Sequence, residues 1–203
     1  MMGRVRPIPD PIAYYDQLAA DLASRYDTIT FDAVHPNLSS YLPMHGRVLD
    51  IGSGSGRDAR GLAAKGLVVT AVEPSVAFRQ LAGLHPDDRI TWVDDRLPEL
   101  TRLDGDVEPF DFILCSAVLM LLKATDLGNG FGTMARLLAD HGRLAVNIRD
   151  PMLGEPADIF HFHSDAAILE AAKVAGLTCI ARVEMNDALG RPGYLWRSYV
   201  FSH

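Results

Sequence analysis

The segment "VLDIGSGSGRDAR" (48–60) carries an apolar run into Asp50 and then places glycine at every second position, Gly52, Gly54 and Gly56, ahead of a charged stretch. Glycines at that spacing let the backbone turn sharply and let a ligand approach without meeting a Cβ, while a helix starting just beyond them offers free N–H groups. The dinucleotide fingerprint GxGxxG would need glycine at position 57, and this chain has Arg57, so a pyrophosphate is disfavoured. Asp50, inside the motif, would attract a cationic group. Glu73 closes the next apolar run, where an acid can accept from both hydroxyls of a ribose. A ligand that combines a ribose with a positive charge fits these residues. The competing reading is that the glycines serve only close packing of a helix on a strand.

The elements that must hold these residues are legible from periodicity. "RVLDIG" (47–52) reads as a strand and "RDARGLAAKG" (57–66) as a helix closed by Gly66. "LVVTAVEP" (67–74) is a β-branched strand, followed by a helix over "SVAFRQLAGL" that Ser75 would cap. "RITWVDD" (89–95), "FDFILCSAVL" (110–119) and "RLAVNIRD" (143–150) read as three further strands, with a helix over "GNGFGTMARLLADHG" that ends at Gly142. After another helix, "SDAAILEAAKVAGL", the tail changes character: "TCIARVEM" and "YLWRSYVFSH" are two strands with no helix between them. Ahead of everything, "IAYYDQLAADLASRY" (12–26) repeats apolar residues at three- and four-residue intervals, the pattern of an amphipathic helix. The predicted fold is α/β: a Rossmann-like, doubly wound, mostly parallel seven-stranded sheet with helices on both faces and an antiparallel strand pair at its C-terminal edge. We expect a single domain over 1–203, with an N-terminal helical extension (1–46) that the resemblance described below implies is a lid, a ligand-binding core (47–150), and a short insert, implied in the same way to face the substrate, followed by a helix and strand pair (151–203).

Bulk properties exclude several classes. A chain of 203 residues with 48% apolar and 22% charged residues is an ordinary globular composition, with core enough to need no disulfide or metal. Its formal charge is −7 and it has no dense Lys/Arg block, which argues against a nucleic-acid partner. Cys115 and Cys179 stand in apolar runs without CxxC spacing and read as buried thiols. No signal-peptide pattern and no stretch of about 18 apolar residues is present, so a cytoplasmic location without a membrane partner is expected.

In its motif order the chain resembles the class I S-adenosylmethionine-dependent methyltransferases, and in particular small bacterial members that act on small molecules. "VLDIGSGSG" resembles their first motif, "VTAVEPS" the acidic second-strand motif, "ITWVDDRLPEL" the third, "PFDFILCSAVLMLL" the fourth-strand segment and "LLADHGRLAVNIRD" the fifth. The resemblance spans roughly residues 12–200 and implies S-adenosyl-L-methionine as cofactor, with S-adenosyl-L-homocysteine as product. It assigns Asp50, Gly52, Ser53, Gly54 and Gly56 to the methionine portion, Glu73 to the ribose hydroxyls, and Pro74 and Ser75 to the flanks of the adenosine. Asp95 would accept from the adenine amine, with Asp94 as the alternative, and Leu97 would pack on the ring beside Arg96. Cys115, Ser116 and Ala117 would line the inner wall. Arg57 is either a contact at the start of a helix or a solvated helix terminus.

The second substrate is less legible. Methyl transfer needs a nucleophile held about 3 Å from the methyl carbon in a dry site, and a base only where the nucleophile must lose a proton. His161 and His163 in "IFHFHSD" are candidate bases, against the reading of two partly solvated loop histidines; no third ligand suggests a metal. Arg149 would face the same mouth and pair an acidic substrate or a neighbouring carboxylate. The resemblance implies a first helix that folds over the cofactor, where the hydroxyl of Tyr14, Tyr15 or Tyr26 could reach the methionine carboxylate; Tyr14, off the apolar stripe, is the better contact, and Tyr15 and Tyr26 read equally as members of the stripe. Asp187 and Arg191 read as a hairpin-stabilising pair, and Trp92 and Trp196 as packing. No "NPPY"-like or "DPPY"-like tetrapeptide follows the fourth strand, which argues against methylation of nucleic-acid bases. The expected acceptor is an oxygen, nitrogen or sulfur of a small molecule, and the expected assembly a monomer or homodimer. A non-catalytic cofactor-binding module and a nicotinamide-dependent oxidoreductase are the alternatives.

Overall fold

The computed structural model describes residues 10–105 and 107–203; residues 1–9 of the expected N-terminal lid lie outside them. Helix α1 (Pro11–Tyr26) starts where Asp10 accepts from the Ile12 amide and Pro11 supplies a fixed φ. A single turn, α2 (Phe31–Val34), leads to β1 (Arg47–Ile51), and α3 (Arg57–Ala64) begins at Gly56, whose φ is +83°. Then come β2 (Val68–Val72), α4 (Val76–Ala82), capped by the Ser75 hydroxyl, and β3 (Ile90–Val93). β4 (Phe110–Ser116), α5 (Leu127–Leu137), β5 (Leu138–Arg149), α6 (Asp165–Val174), β6 (Thr178–Asn186) and β7 (Leu195–Ser202) complete the chain.

The seven strands form one sheet in the order β3-β2-β1-β4-β5-β7-β6. β1 to β5 pair in parallel, whereas β7 runs antiparallel to both β5 and β6. Two apolar layers result from the alternation of side chains along buried strands. On one face Val48, Phe112, Leu114 and Ala145 meet Phe31 of α2 and Ala59, Leu62 and Ala63 of α3. On the other, Leu49, Ile113, Cys115 and Val146 meet Phe131 and Met134 of α5 and Ile168 of α6. Helix α1 lies against α4 through Ala19, Ala23 and Phe78. Strand order reverses at β1, which has β2 on one side and β4 on the other, and the carboxyl ends of these strands therefore flank a crevice.

Two expectations are corrected. The helix before β5 stops at Leu137 rather than at Gly142, and residues 138–142 are already extended, with Leu138 opposite Phe110. Leu137 and Leu138 are both buried, and turning the chain out of the helix at Leu138 lays its side chain along the first residue of β4. Cys179 is half-buried on the edge strand β6 rather than enclosed like Cys115. No helix among the described residues is long and apolar enough to cross a membrane.

Phe131 is fully buried in α5 and meets Phe201 of β7 edge-on, with 5.6 Å between centroids. Phe131→Ala should therefore lower unfolding stability by about 3–5 kcal/mol, as for other buried aromatics truncated to alanine, measured by urea denaturation.

Candidate active site

Beyond Ile51 the chain passes through Gly52 (φ +72°) and Gly54 (φ +54°) to Gly56. These left-handed conformations are what the spaced glycines make accessible. At Gly52 space matters as well, because a Cβ there would stand 2.3 Å from Cγ2 of Val118. At Gly54 a Cβ would meet nothing within 4 Å, so that side of the loop is open. Glu73, directly after β2, holds the loop in place: one carboxylate oxygen accepts from the Gly54 amide and the other from the Ser75 amide, each at 2.8 Å. Burial raises the Glu73 pKa, and the two amide bonds work against that rise.

A cleft of about 690 Å³ opens over these loops, walled by Gly52 to Ser55, Glu73 to Ser75, Asp95 to Leu97 and Ser116 to Val118. Ile12, Tyr15 and Tyr26 of α1 lie along another side of it. Helix α1 is fixed to both loops. Asp16 accepts from the Ser75 hydroxyl and the Ala77 amide. Asp27, just past the helix, accepts from the Ser55 hydroxyl at 2.8 Å and from Arg60 at 3.0 Å.

Asp50 sits behind the glycine loop, 2% exposed, and its Oδ2 has no hydrogen-bond partner. Burial, reinforced by the nearby Asp58 carboxylate, pushes its pKa up to about 8. A buried acid in that state lacks a donor or a cation, and an ammonium group at the loop, direct or through water, would supply one. Asp95 accepts from the amides of Arg96 and Arg102, which orders the loop after β3 at the cleft wall. Leu97 is buried and lines the cleft.

Other expected site residues are placed elsewhere. Asp94 points to Arg79 in an ion pair of 2.8 Å and is not part of the lining, so of the two acids it is Asp95 that faces the cleft. Cys115 has the opposite parity to Ser116 on β4 and is packed into the core, where burial raises its thiol pKa. Tyr14 is not off the apolar side of α1: its ring meets Tyr15 at 5.6 Å and Phe160 at 5.8 Å, edge-on in each case, and Tyr15 and Tyr26 line the cleft instead. His163 is buried, with Nε2 at 3.0 Å from the carbonyls of Leu119 and Leu122. It pins the 159–163 segment to the turn after β4 and has no free face, whereas His161 lines the cleft. Arg149 lines the cleft too, but its guanidinium is bound in two places by Glu155, at 2.8 and 2.6 Å. Arg191 pairs with Asp187, which also accepts from Trp196, in keeping with a hairpin brace.

Sequence reasoning missed a buried polar chain on the α3 side of the cleft. Arg57 binds Asp58 through two nitrogens at 2.9 and 2.7 Å. Asp58 Oδ2, which accepts one of these bonds, also meets His35 Nε2 at 3.1 Å, and His35 Nδ1 meets the Asn147 side-chain amide at 2.7 Å. Although burial opposes it, His35 and Arg57 hold the Asp58 pKa well below the usual carboxylate range. Asp58 looks like an ordinary acid in the first turn of a helix, and His35 lies in a short irregular stretch; no local spacing joins either to Asn147.

A family description, "Methyltransferase domain", matches residues 22–181 of this sequence. The chain belongs to that methyltransferase family. It is 34% identical over 112 residues to a ubiquinone biosynthesis O-methyltransferase of Xylella fastidiosa, a match covering 54% of this chain and 45% of that protein. The matches span less than half the length of each of the curated relatives. Among solved structures, the fold is similar to a Burkholderia thailandensis 1,6-didemethyltoxoflavin-N1-methyltransferase with bound S-adenosylhomocysteine, at TM-score 0.67 and 20% identity over 97% of this chain and 91% of that one. It is also similar to a TehB-like methyltransferase of Corynebacterium glutamicum, at TM-score 0.69 and 18% identity over 92% and 98%.

Asp50 generates a pH prediction. An acid whose pKa is raised in the folded state keeps its proton while the unfolded chain releases it, so stability falls as pH rises from about 4 to about 8. Asp50→Asn should remove that loss, giving a ligand-free protein that melts higher than wild type at pH 8 but not at pH 4. The same variant should bind S-adenosylhomocysteine at least ~10-fold more weakly, the loss expected for a charge-assisted hydrogen bond. Differential scanning calorimetry and isothermal titration calorimetry read the two effects.

Proposed function

We propose that this chain transfers a methyl group from S-adenosylmethionine to an oxygen, nitrogen or sulfur of a small molecule. The observation that carries the reading is the glycine loop clamped by buried Glu73, with the partnerless Asp50 oxygen behind it, at the head of a cleft large enough for a cofactor and a second small ligand. The family match and the likeness to solved methyltransferase structures agree with it.

In this reading each Glu73 oxygen, already accepting one amide, uses its remaining acceptor capacity for a ribose hydroxyl. Asp50 faces the ammonium, Asp95 the adenine amine, and Leu97 and Phe78 the ring. Pro74 and Ser75 flank the adenosine, while Ser53, Ser116 and Ala117 close the wall beside the methionine chain. When bound, the cofactor supplies an electrophilic methyl: the acceptor's lone pair forms the new bond to carbon as the carbon–sulfur bond breaks, and its electron pair stays on sulfur. The protein's own work is to orient the nucleophile and to keep water out. Tyr15, Tyr26, Val118 and Leu121 give the cleft its apolar walls. His161 is the ring placed to take a proton toward solvent, and Arg149, neutralised by Glu155, shapes the mouth rather than presenting a bare charge.

Thermal shift with S-adenosylmethionine, S-adenosylhomocysteine and NAD tests the pocket. At about 100 times its dissociation constant a ligand adds about 2.7 kcal/mol, and the two sulfur ligands should raise the melting temperature by several degrees while NAD does not. Glu73→Ala should abolish the shift. A response to NAD alone would overturn the reading.

A further inference from the structure

Three buried side-chain oxygens among the described residues have no hydrogen-bond partner: those of Asn37, Asp50 and Asn147. Asp50 belongs to the cofactor loop, and Asn37 lies behind the cleft wall with its amide nitrogen on the Ser198 hydroxyl. Asn147 is different, because it lines the cleft while being only 2% exposed. On β5 it pairs with Ser116 of β4 and Ser198 of β7, at the carboxyl end of the central parallel strands.

The orientation of the Asn147 amide follows from its neighbours. Asp58 Oδ2 faces His35 Nε2 at 3.1 Å, and Asn147 turns its Nδ2 amide group toward His35 Nδ1 at 2.7 Å, so Nδ1 is the acceptor of that contact and Nε2 the nitrogen that donates to Asp58. That leaves Oδ1 of Asn147 as the atom without a partner. The chain Arg57–Asp58–His35–Asn147 thus fixes a carbonyl oxygen that needs a donor, on a residue that lines the cleft beside Ser116.

We propose that Asn147 Oδ1 accepts a hydrogen bond from the reacting N–H or O–H of the methyl acceptor, with His35 as the positioning residue that keeps the amide in that orientation. This rests on the methyl-transfer reading and narrows it: the acceptor class is an amine or a hydroxyl compound. A thiolate brings no donor and would set a lone pair against Oδ1, a buried mismatch that costs binding. A neutral amide orients the nucleophile but does not take its proton, which passes by way of His161 to water at the open mouth as the new bond to carbon forms.

Sinefungin provides a probe that needs no knowledge of the acceptor, since it carries an amine where the cofactor carries its methyl, whereas S-adenosylhomocysteine carries nothing there. Isothermal titration calorimetry of the full chain should show sinefungin bound more tightly than S-adenosylhomocysteine. In Asn147→Ala that preference should fall ~10-fold, the size of one hydrogen bond to a charged group, with S-adenosylhomocysteine affinity unchanged. His35→Phe should lose part of the preference and His35→Gln, which keeps a polar partner, should restore it. For wild type, the histidine ring ¹⁵N resonances should show His35 protonated at Nε2, with Nδ1 shifting on addition of sinefungin but not of S-adenosylhomocysteine; this arm stands even if a variant fails to fold. An unchanged preference in the variants together with a silent His35 Nδ1 would overturn the proposal, leaving Asn147 with a bound water only, and would not touch the cofactor reading. Failure of both ligands to bind wild type would overturn the cofactor reading and this proposal with it.

Discussion

The buried carboxylate of Glu73 is the constraint on which the site depends. Its two oxygens hold the amides of Gly54 and Ser75, so a single side chain at the end of β2 sets the separation of the β1 and β2 loops. A carboxylate can do this because each oxygen has acceptor capacity for more than one donor. The cost is burial of an acid whose pKa is pushed up, a cost that hydroxyl donors from a ligand would offset. An organised but incompletely satisfied acceptor is poised for a ligand in a way that a closed salt bridge is not.

The neighbouring arginines show the contrast. Arg57, Arg149 and Arg191 all line the cleft, yet each is held by a carboxylate, Asp58, Glu155 and Asp187 respectively. Arg149 and Arg191 also lie over the ring of Tyr194, at 4.9 and 4.1 Å from its centroid. Their charges are spent on building the mouth, which limits what they contribute to drawing in an anion. Among the buried side chains that belong to the cleft or its loops, the groups left uncommitted are oxygens of Asp50 and Asn147, and oxygens without partners seek donors.

The sheet was legible in the sequence because its strands are buried on both faces and read as continuous apolar runs, and because glycines and acids punctuate their carboxyl ends. Gly52, Gly54, Glu73 and Asp95 could be located for the same reason: their positions follow from where a strand stops. The helix before β5 was read too long because helical spacing continues past Leu137, whereas pairing with Phe110 decides the boundary. Tyr14 and His163 were misplaced because the partners that bury them, Phe160 and the carbonyls of the turn after β4, are remote in sequence. His35, Asp58 and Asn147 were invisible on the same grounds, since they meet only when α2, α3 and β5 are stacked.

Helix α1 bears on both loops at once. Asp16 near its middle and Asp27 just past its end hold the β2 loop and the glycine loop respectively, so the two halves of the ligand cradle hang from one rigid rod. Displacing either loop therefore strains a bond to the same helix, so two segments far apart in sequence share one restraint.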